Sequence, residues 1–170
     1  MTADDELPLW APIDSQRGVL PRVTRKDVVV EARSWLGTPY VHQHRAKGHG
    51  VDCAGLVIGV ARALGIVEPD FDINGYGQTP DGKTLLAICD RFMRRVYPSQ
   101  LQPGDVLVYE FHPSLGPQHM GILGDYMHGG FSLIQALGTT DGRGEVVEWN
   151  LDRARKGWKP VQGYVLPGIE

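Results

Sequence analysis

Three residues of this chain carry the side-chain chemistry of a cysteine hydrolase: Cys53, His119 and Gln135. A cysteine attacks a carbonyl as its thiolate, so it needs surroundings that favour negative charge. The start of a helix supplies them, because unpaired N–H groups and aligned peptide dipoles point towards it. Cys53 stands in the run GVDCAGL, with a glycine-containing loop before it and an apolar-periodic segment after it. Gly55, two positions on, would let a substrate come close to the backbone. The thiol then needs a base, for which histidine is the usual residue. His119 opens the β-rich run HMGILGD, directly after the turn-like PSLGPQ. Gln135 sits in the middle of the apolar run FSLIQALG, where a polar side chain needs a buried partner. A His119 ring on the neighbouring antiparallel strand would be that partner, and the amide would then fix the imidazole tautomer. Each of the three also has a plain structural reading as a buried side chain.

The elements that would position these residues follow from periodicity. Thr24 is placed to cap a helix over Arg25 to Leu36, with Asp27 in its first turn and Gly37 as its stop. Val28, Ala32, Trp35 and Leu36 form its apolar stripe, so Trp35 reads as core. The segment GTPYVHQHRAKGHGVDC, with its glycines and proline, predicts a loop. A second helix starts at Cys53 and carries Leu56, Val57, Val60, Ala61 and Leu64 to a stop at Gly65. After a glycine-rich stretch from Val67 to Gly82, the spacing predicts a third helix from Lys83 to Val96. Five β-rich runs follow: Asp105 to Phe111, His119 to Gly124, Phe131 to Leu137, Glu145 to Leu151 and Val161 to Leu166. Helices followed by consecutive strands predict an α+β domain with an antiparallel sheet. Trp149 and Trp158, near the last strands, would either cover the sheet or meet a partner.

Composition excludes several other functions. With 170 residues, 42% hydrophobic and 22% charged, the chain has the make-up of one globular domain. A net charge of -3, with scattered Lys and Arg, is not the footprint of a nucleic-acid binder. No stretch reaches the roughly 18 consecutive apolar residues of a membrane span. The N-terminal residues, with Asp4, Asp5 and Glu6, do not read as a secretory signal, which places synthesis in the cytoplasm. Residues 1–23, rich in Pro and charge, read as an arm, and residues 24–170 as the domain. Cys89, in the run TLLAICDRF, reads as a small buried apolar residue. His42, His44 and His49 cluster near Asp52 in one loop, which invites comparison with a zinc site. A polar wall of the active-site groove is the favoured reading, because nothing obvious completes a metal site. His112 and His128 lie beside turn residues and are expected to face solvent.

The order GTPYVHQHRAKGHGVDCAGLV, QPGDVLVYE, QHMGI, LIQALG, EVVEWNL, spread between about Arg25 and Leu166, resembles the NlpC-type cysteine peptidases of bacterial cell walls. The similarity is greatest to the branch found in tailed phages and phage-derived gene transfer agents. The resemblance implies a papain-like NlpC-type fold, with N-terminal helices packed on an antiparallel β-sheet. It implies Cys53 as nucleophile, His119 as base and Gln135 as the third polar residue. Tyr40, in GTPY, would help to shape the oxyanion site, and Asp52 would be the acidic residue beside the nucleophile. The implied substrate is the stem peptide of peptidoglycan, cut between D-glutamate and the diamino acid, with no cofactor and no metal. The implied partners are tail-tip or baseplate hub proteins, with the chain carried on the particle to open the wall during DNA delivery. Two departures stand out. Ala54 replaces the serine that in some relatives joins the aspartate in holding the substrate's free amine, and Gln135 replaces a histidine that could carry charge. Two other readings remain: a structural plug of the tail with an incidental or gated site, and a cellular enzyme acting on another amide or as an acyltransferase.

Overall fold

The computed structural model describes residues 22–77, 81–112, 114–139, 141–152 and 157–170. The arm expected over residues 1–23 lies outside them except for its last two residues. Three helices, α1 (Arg25–Arg33), α2 (Cys53–Ala63) and α3 (Thr84–Phe92), precede most of the sheet. The strands are β1 (Arg45–Ala46), β2 (Gly50–Val51), β3 (Arg94–Val96), β4 (Val106–Glu110), β5 (His119–Asp125), β6 (Phe131–Leu137), β7 (Glu145–Asn150) and β8 (Lys159–Val165). Strands β3 to β8 form one antiparallel sheet in the order β3-β8-β4-β5-β6-β7.

The local signals read from the sequence account for the helix starts. Thr24 and Asp27 close a reciprocal capping box at the head of α1, and Asp52 caps α2 by accepting the Gly55 N–H. Strand β4 shows the period-2 division of its side chains. Val106 and Val108 join the core shared with α1 and α2. Leu107 and Tyr109 join Leu123, Leu133 and Leu151 in a second cluster, against which Trp158 packs. Both faces of the sheet are therefore covered. On the helical face Trp35 is buried, as its spacing predicts. Its ring lies only 2.4 Å from where a Cβ on Gly59 would stand, so the turn that ends α1 approaches α2 through a glycine.

Three local expectations are revised. The helix read from Lys83 to Val96 stops at Phe92, where Met93 turns extended. Arg94 to Val96 instead pair with the last strand, Arg94 opposite Val165 and Val96 opposite Gly163. That pairing joins residues about 70 positions apart, and no local pattern announces it. The loop before Cys53 contains a two-residue-per-strand hairpin, with Arg45 opposite Val51. Leu36 lies beyond the end of α1 and is exposed. His112 and His128 are exposed and Cys89 is buried, as read from the sequence.

Candidate active site

The capped head of α2 places Cys53 at a cavity of about 470 Å³ that Tyr40, Asp52 and His119 also line. The first residue of β5 supplies His119, and the middle of β6 supplies Gln135. Their side chains meet: His119 Nε2 lies 2.8 Å from Gln135 Oε1. With the amide oxygen as acceptor, Nε2 carries the proton and Nδ1 is left as the basic nitrogen. Gln135 is 0% exposed and does not reach the cavity; it stands behind the imidazole. Its Nε2 has no hydrogen-bond partner among the described residues. Such an orphaned amide costs about 1–3 kcal/mol, which is difficult to reconcile with a residue selected for packing alone.

His119 is 5% exposed. Phe111 lies 5.1 Å and Trp158 5.9 Å from it, measured between ring centroids. Trp158 in turn packs on Phe111 and stacks on Trp149. Trp158 is thus one of the residues that cover the sheet, the first of the two roles the sequence left open for it. Burial holds the imidazole well below its ordinary range, at about 4, although Gln135 and the Asp52 charge both act to raise it.

The thiol follows the same logic. Backbone N–H groups of Met120, Ala54 and Cys53 itself favour the thiolate, but burial and the adjacent Asp52 carboxylate outweigh them and push Cys53 up to about 11. The helix start therefore favours the thiolate, as expected, without by itself making it the resting form. Cys53 and His119 rest as thiol and neutral imidazole. Tyr40 is held by its N–H to Gly144 O at 2.7 Å. Burial, then the charges of Cys53 and Asp52, raise its phenol to about 12, so it stays an O–H donor at neutral pH.

Asp52 is 1% exposed and fully engaged. Oδ1 accepts from Gly55 N–H at 2.7 Å, and Oδ2 accepts from Gln43 N–H at 2.7 Å. Tyr76 donates its hydroxyl to Oδ2 at 2.7 Å, and Arg45 Nη1 lies 3.3 Å from Oδ1. His42 Nδ1 is 3.4 Å from Oδ2. Arg45 continues to Asp72, Ile73 O and Tyr76 Oη, so one buried carboxylate pins the 71–77 segment to the loop before Cys53. Gln43 holds a left-handed φ of 56° with its N–H on Asp52 and its Nε2 on Tyr76 O. The close approach expected at Gly55 comes from the protein itself: a Cβ there would meet His44 O at 2.3 Å. Sequence reading missed Gln43, Arg45 and Tyr76, because a contact between segments about 30 positions apart has no periodic signature. It also missed the placement of Phe111 on the imidazole. His44 and His49 are exposed, and no group of three or more His, Cys, Asp or Glu among the described residues is arranged to hold a metal ion.

No protein-family model and no curated protein matches this chain. Among solved structures it is similar to the NlpC/p60 domain of the peptidoglycan hydrolase SagA, with a TM-score of 0.55 and 24% identity over 85% of this chain and 100% of that one. It is similar to an NlpC/P60 family protein from Bacillus cereus ATCC 10987, with a TM-score of 0.56 and 17% identity over 84% of this chain and 40% of that one. A third likeness is to an N-acetylmuramoyl-L-alanine amidase from Bacteroides uniformis ATCC 8492, with a TM-score of 0.53 and 15% identity over 84% of this chain and 98% of that one. At these identities the likeness is one of fold: an α+β domain of the NlpC/p60 type, consistent with a papain-like arrangement.

Proposed function

We propose that this chain is a cysteine endopeptidase that cuts peptidoglycan stem peptides, between D-glutamate and the diamino acid. One observation carries the reading: a buried His119, oriented by Gln135 at 2.8 Å, lines the same cavity as a cysteine at the head of a helix. The solved structures of like fold, one a domain of a peptidoglycan hydrolase and one an N-acetylmuramoyl-L-alanine amidase, support the substrate class. The bond itself rests on the resemblance of the motifs.

In this mechanism Cys53 Sγ attacks the amide carbonyl while its proton passes to His119 Nδ1. The resting thiol and neutral imidazole suit this coupled transfer better than a preformed ion pair. The Cys53 backbone N–H and the Tyr40 hydroxyl stabilise the oxyanion. His119 protonates the leaving amine, then deprotonates the water that hydrolyses the thioester, and Gln135 keeps Nε2 protonated throughout. Asp52 holds the loops around the nucleophile, since its oxygens are already bound. On the order of the motifs we also assign the enzyme to the tail tip of a phage-like particle, seated on hub proteins and opening the wall locally.

The test is digestion of purified peptidoglycan and a synthetic stem tetrapeptide, read by mass spectrometry, for wild type and Cys53→Ala. A fragment ending at D-glutamate with wild type alone is the expected result. Equal inertness of both proteins, with Cys53 unreactive to thiol probes, would leave the fold as a structural plug and withdraw the enzyme.

A further inference from the structure

The cavity at Cys53 extends well beyond what the nucleophile and base require. It runs between two helices whose apolar stripes face each other across it. Val57, Ile58 and Ala61 of α2 form one wall, and Leu85, Ile88 and Phe92 of α3 form the other. Both stripes recur at helical spacing, the pattern of two helices that would ordinarily pack directly. Here both stripes also border the cavity, and Leu85 and Ile88 remain only half-buried. At about 470 Å³ the space is within the range of small-molecule sites, roughly 300–1,000 Å³.

Of its two lining carboxylates, Asp52 is buried and fully engaged, whereas Asp81 is exposed to solvent. Asp52 is consumed by Gly55 N–H, Gln43 N–H, Tyr76 and Arg45. Asp81 accepts from the backbone of Lys83 and from both the N–H and hydroxyl of Thr84 at the head of α3. A carboxylate or ammonium drawn deeper, between α2 and α3, would meet the apolar side chains of those two helices and lose its hydration uncompensated. An aliphatic chain would lose nothing and bury its surface. The group at the mouth decides which molecule brings such a chain, because a thiol with a base beside it retains the acyl half of whatever it attacks.

We propose that the site takes a second class of substrate: esters and thioesters of aliphatic acids of medium length, whose chain lies between α2 and α3 while its carbonyl sits at Cys53. This goes beyond wall hydrolysis but rests on the same reading of Cys53 and His119. In the first step the Sγ–carbonyl bond forms and the bond to the leaving oxygen or sulfur breaks. The thiol proton passes through His119 to the leaving group. In the second step water adds to the thioester carbon, the Sγ–carbon bond breaks, and a proton returns through His119 to the sulfur. The products are the free acid and the alcohol or thiol, with no change of oxidation state.

The experiment is a chain-length series of 4-nitrophenyl esters, acetate to octanoate, with pre-steady-state kinetics and mass detection of acyl-Cys53. We expect kcat/KM to rise about fourfold for each added methylene until the cavity is filled, the factor that corresponds to ~0.8 kcal/mol per buried methylene. Ile88→Trp, which occupies the α3 side, shifts the optimum to shorter chains. In Cys53→Ala, which cannot turn over, octanoate displaces the apolar fluorophore 1-N-phenylnaphthylamine, and butyrate does so at least tenfold more weakly. Acylation of Cys53 with a flat chain-length series overturns this proposal and leaves the wall endopeptidase standing. Failure of every ester to acylate Cys53 overturns the shared nucleophile, and both readings with it. Fluorophore binding that octanoate does not displace also overturns the aliphatic site.

Discussion

The environment of a single sulfur sets the chemistry of this site. Cys53 has three backbone N–H groups favouring its thiolate, against burial and the Asp52 carboxylate, and the latter prevail. The thiolate fraction therefore grows tenfold per pH unit up to about 11. Iodoacetamide labelling of Cys53, followed by mass spectrometry, will accelerate continuously from pH 6 to pH 10. A rate that levels off by pH 7 would instead reveal a preformed thiolate–imidazolium pair. His119, held down at about 4 by burial, stays neutral and basic throughout that range. Gln135 yields a second prediction at this scale. Gln135→Leu removes an orphaned buried amide but leaves the buried His119 Nε2–H without its acceptor, so these contributions oppose and stability should change by no more than about 1 kcal/mol. It also releases the imidazole from the tautomer that leaves Nδ1 basic, so turnover should fall by at least tenfold. Urea denaturation alongside kinetics separates the two effects, and Gln135→Asn, with rescue of turnover, would mark the residue as one that positions the base.

At the scale of elements, the closeness of α1 and α2 is what keeps Cys53 against the sheet. Trp35 fills the space beside Gly59, with ring atoms at 2.4 and 2.5 Å from where a Cβ would be. Gly59→Ala should therefore cost about 1–3 kcal/mol through overpacking. Adding Trp35→Leu should return part of that loss, giving a coupling energy measurable in a double-mutant cycle. Exact additivity would mean that the helices part without strain and that the contact does not set their distance. Helix α3 differs: its buried residue is Cys89, and Leu85, Ile88 and Phe92, though only half-buried, also border the cavity. That is why α3, and not α2, is the element whose substitution should change substrate choice more than stability.

At the scale of the whole molecule, one ion pair ties distant parts of the chain together. Arg25, at the start of α1, bonds to Asp105 at the head of β4, which is 0% exposed. The same guanidinium donates through Nε to the carbonyl of Glu170, at the chain end, at 2.9 Å. Removing one partner leaves a buried charge unpaired, so Arg25→Met should cost about 3–5 kcal/mol, read as a drop in the denaturant midpoint. Arg25→Met with Asp105→Leu should recover much of it. If Arg25→Met is silent, the pair is not what holds α1 to the sheet.

How much of this was legible beforehand differs by scale for a physical reason. Helix starts at Thr24 and Cys53 and the strands carrying His119 and Gln135 follow from capping residues and periodicity, which are properties of neighbouring residues. The pairing of His119 with Gln135 was legible because a polar residue within an apolar strand must find a buried partner, and the next strand is the nearest place for one. The end of α3 was not, because Arg94 to Val96 are compatible with a helix and are drawn into the sheet by β8, which lies far along the chain. Nor was the clamp of Arg45 and Tyr76 on Asp52, the aromatic cover of His119, or the rise of the thiol. Each depends on which segments come together and how much water they exclude. The sequence alone thus determined which residues are able to do chemistry and which elements bear them; the tertiary structure alone decided their protonation, because burial and neighbouring charges exist only once the chain has folded.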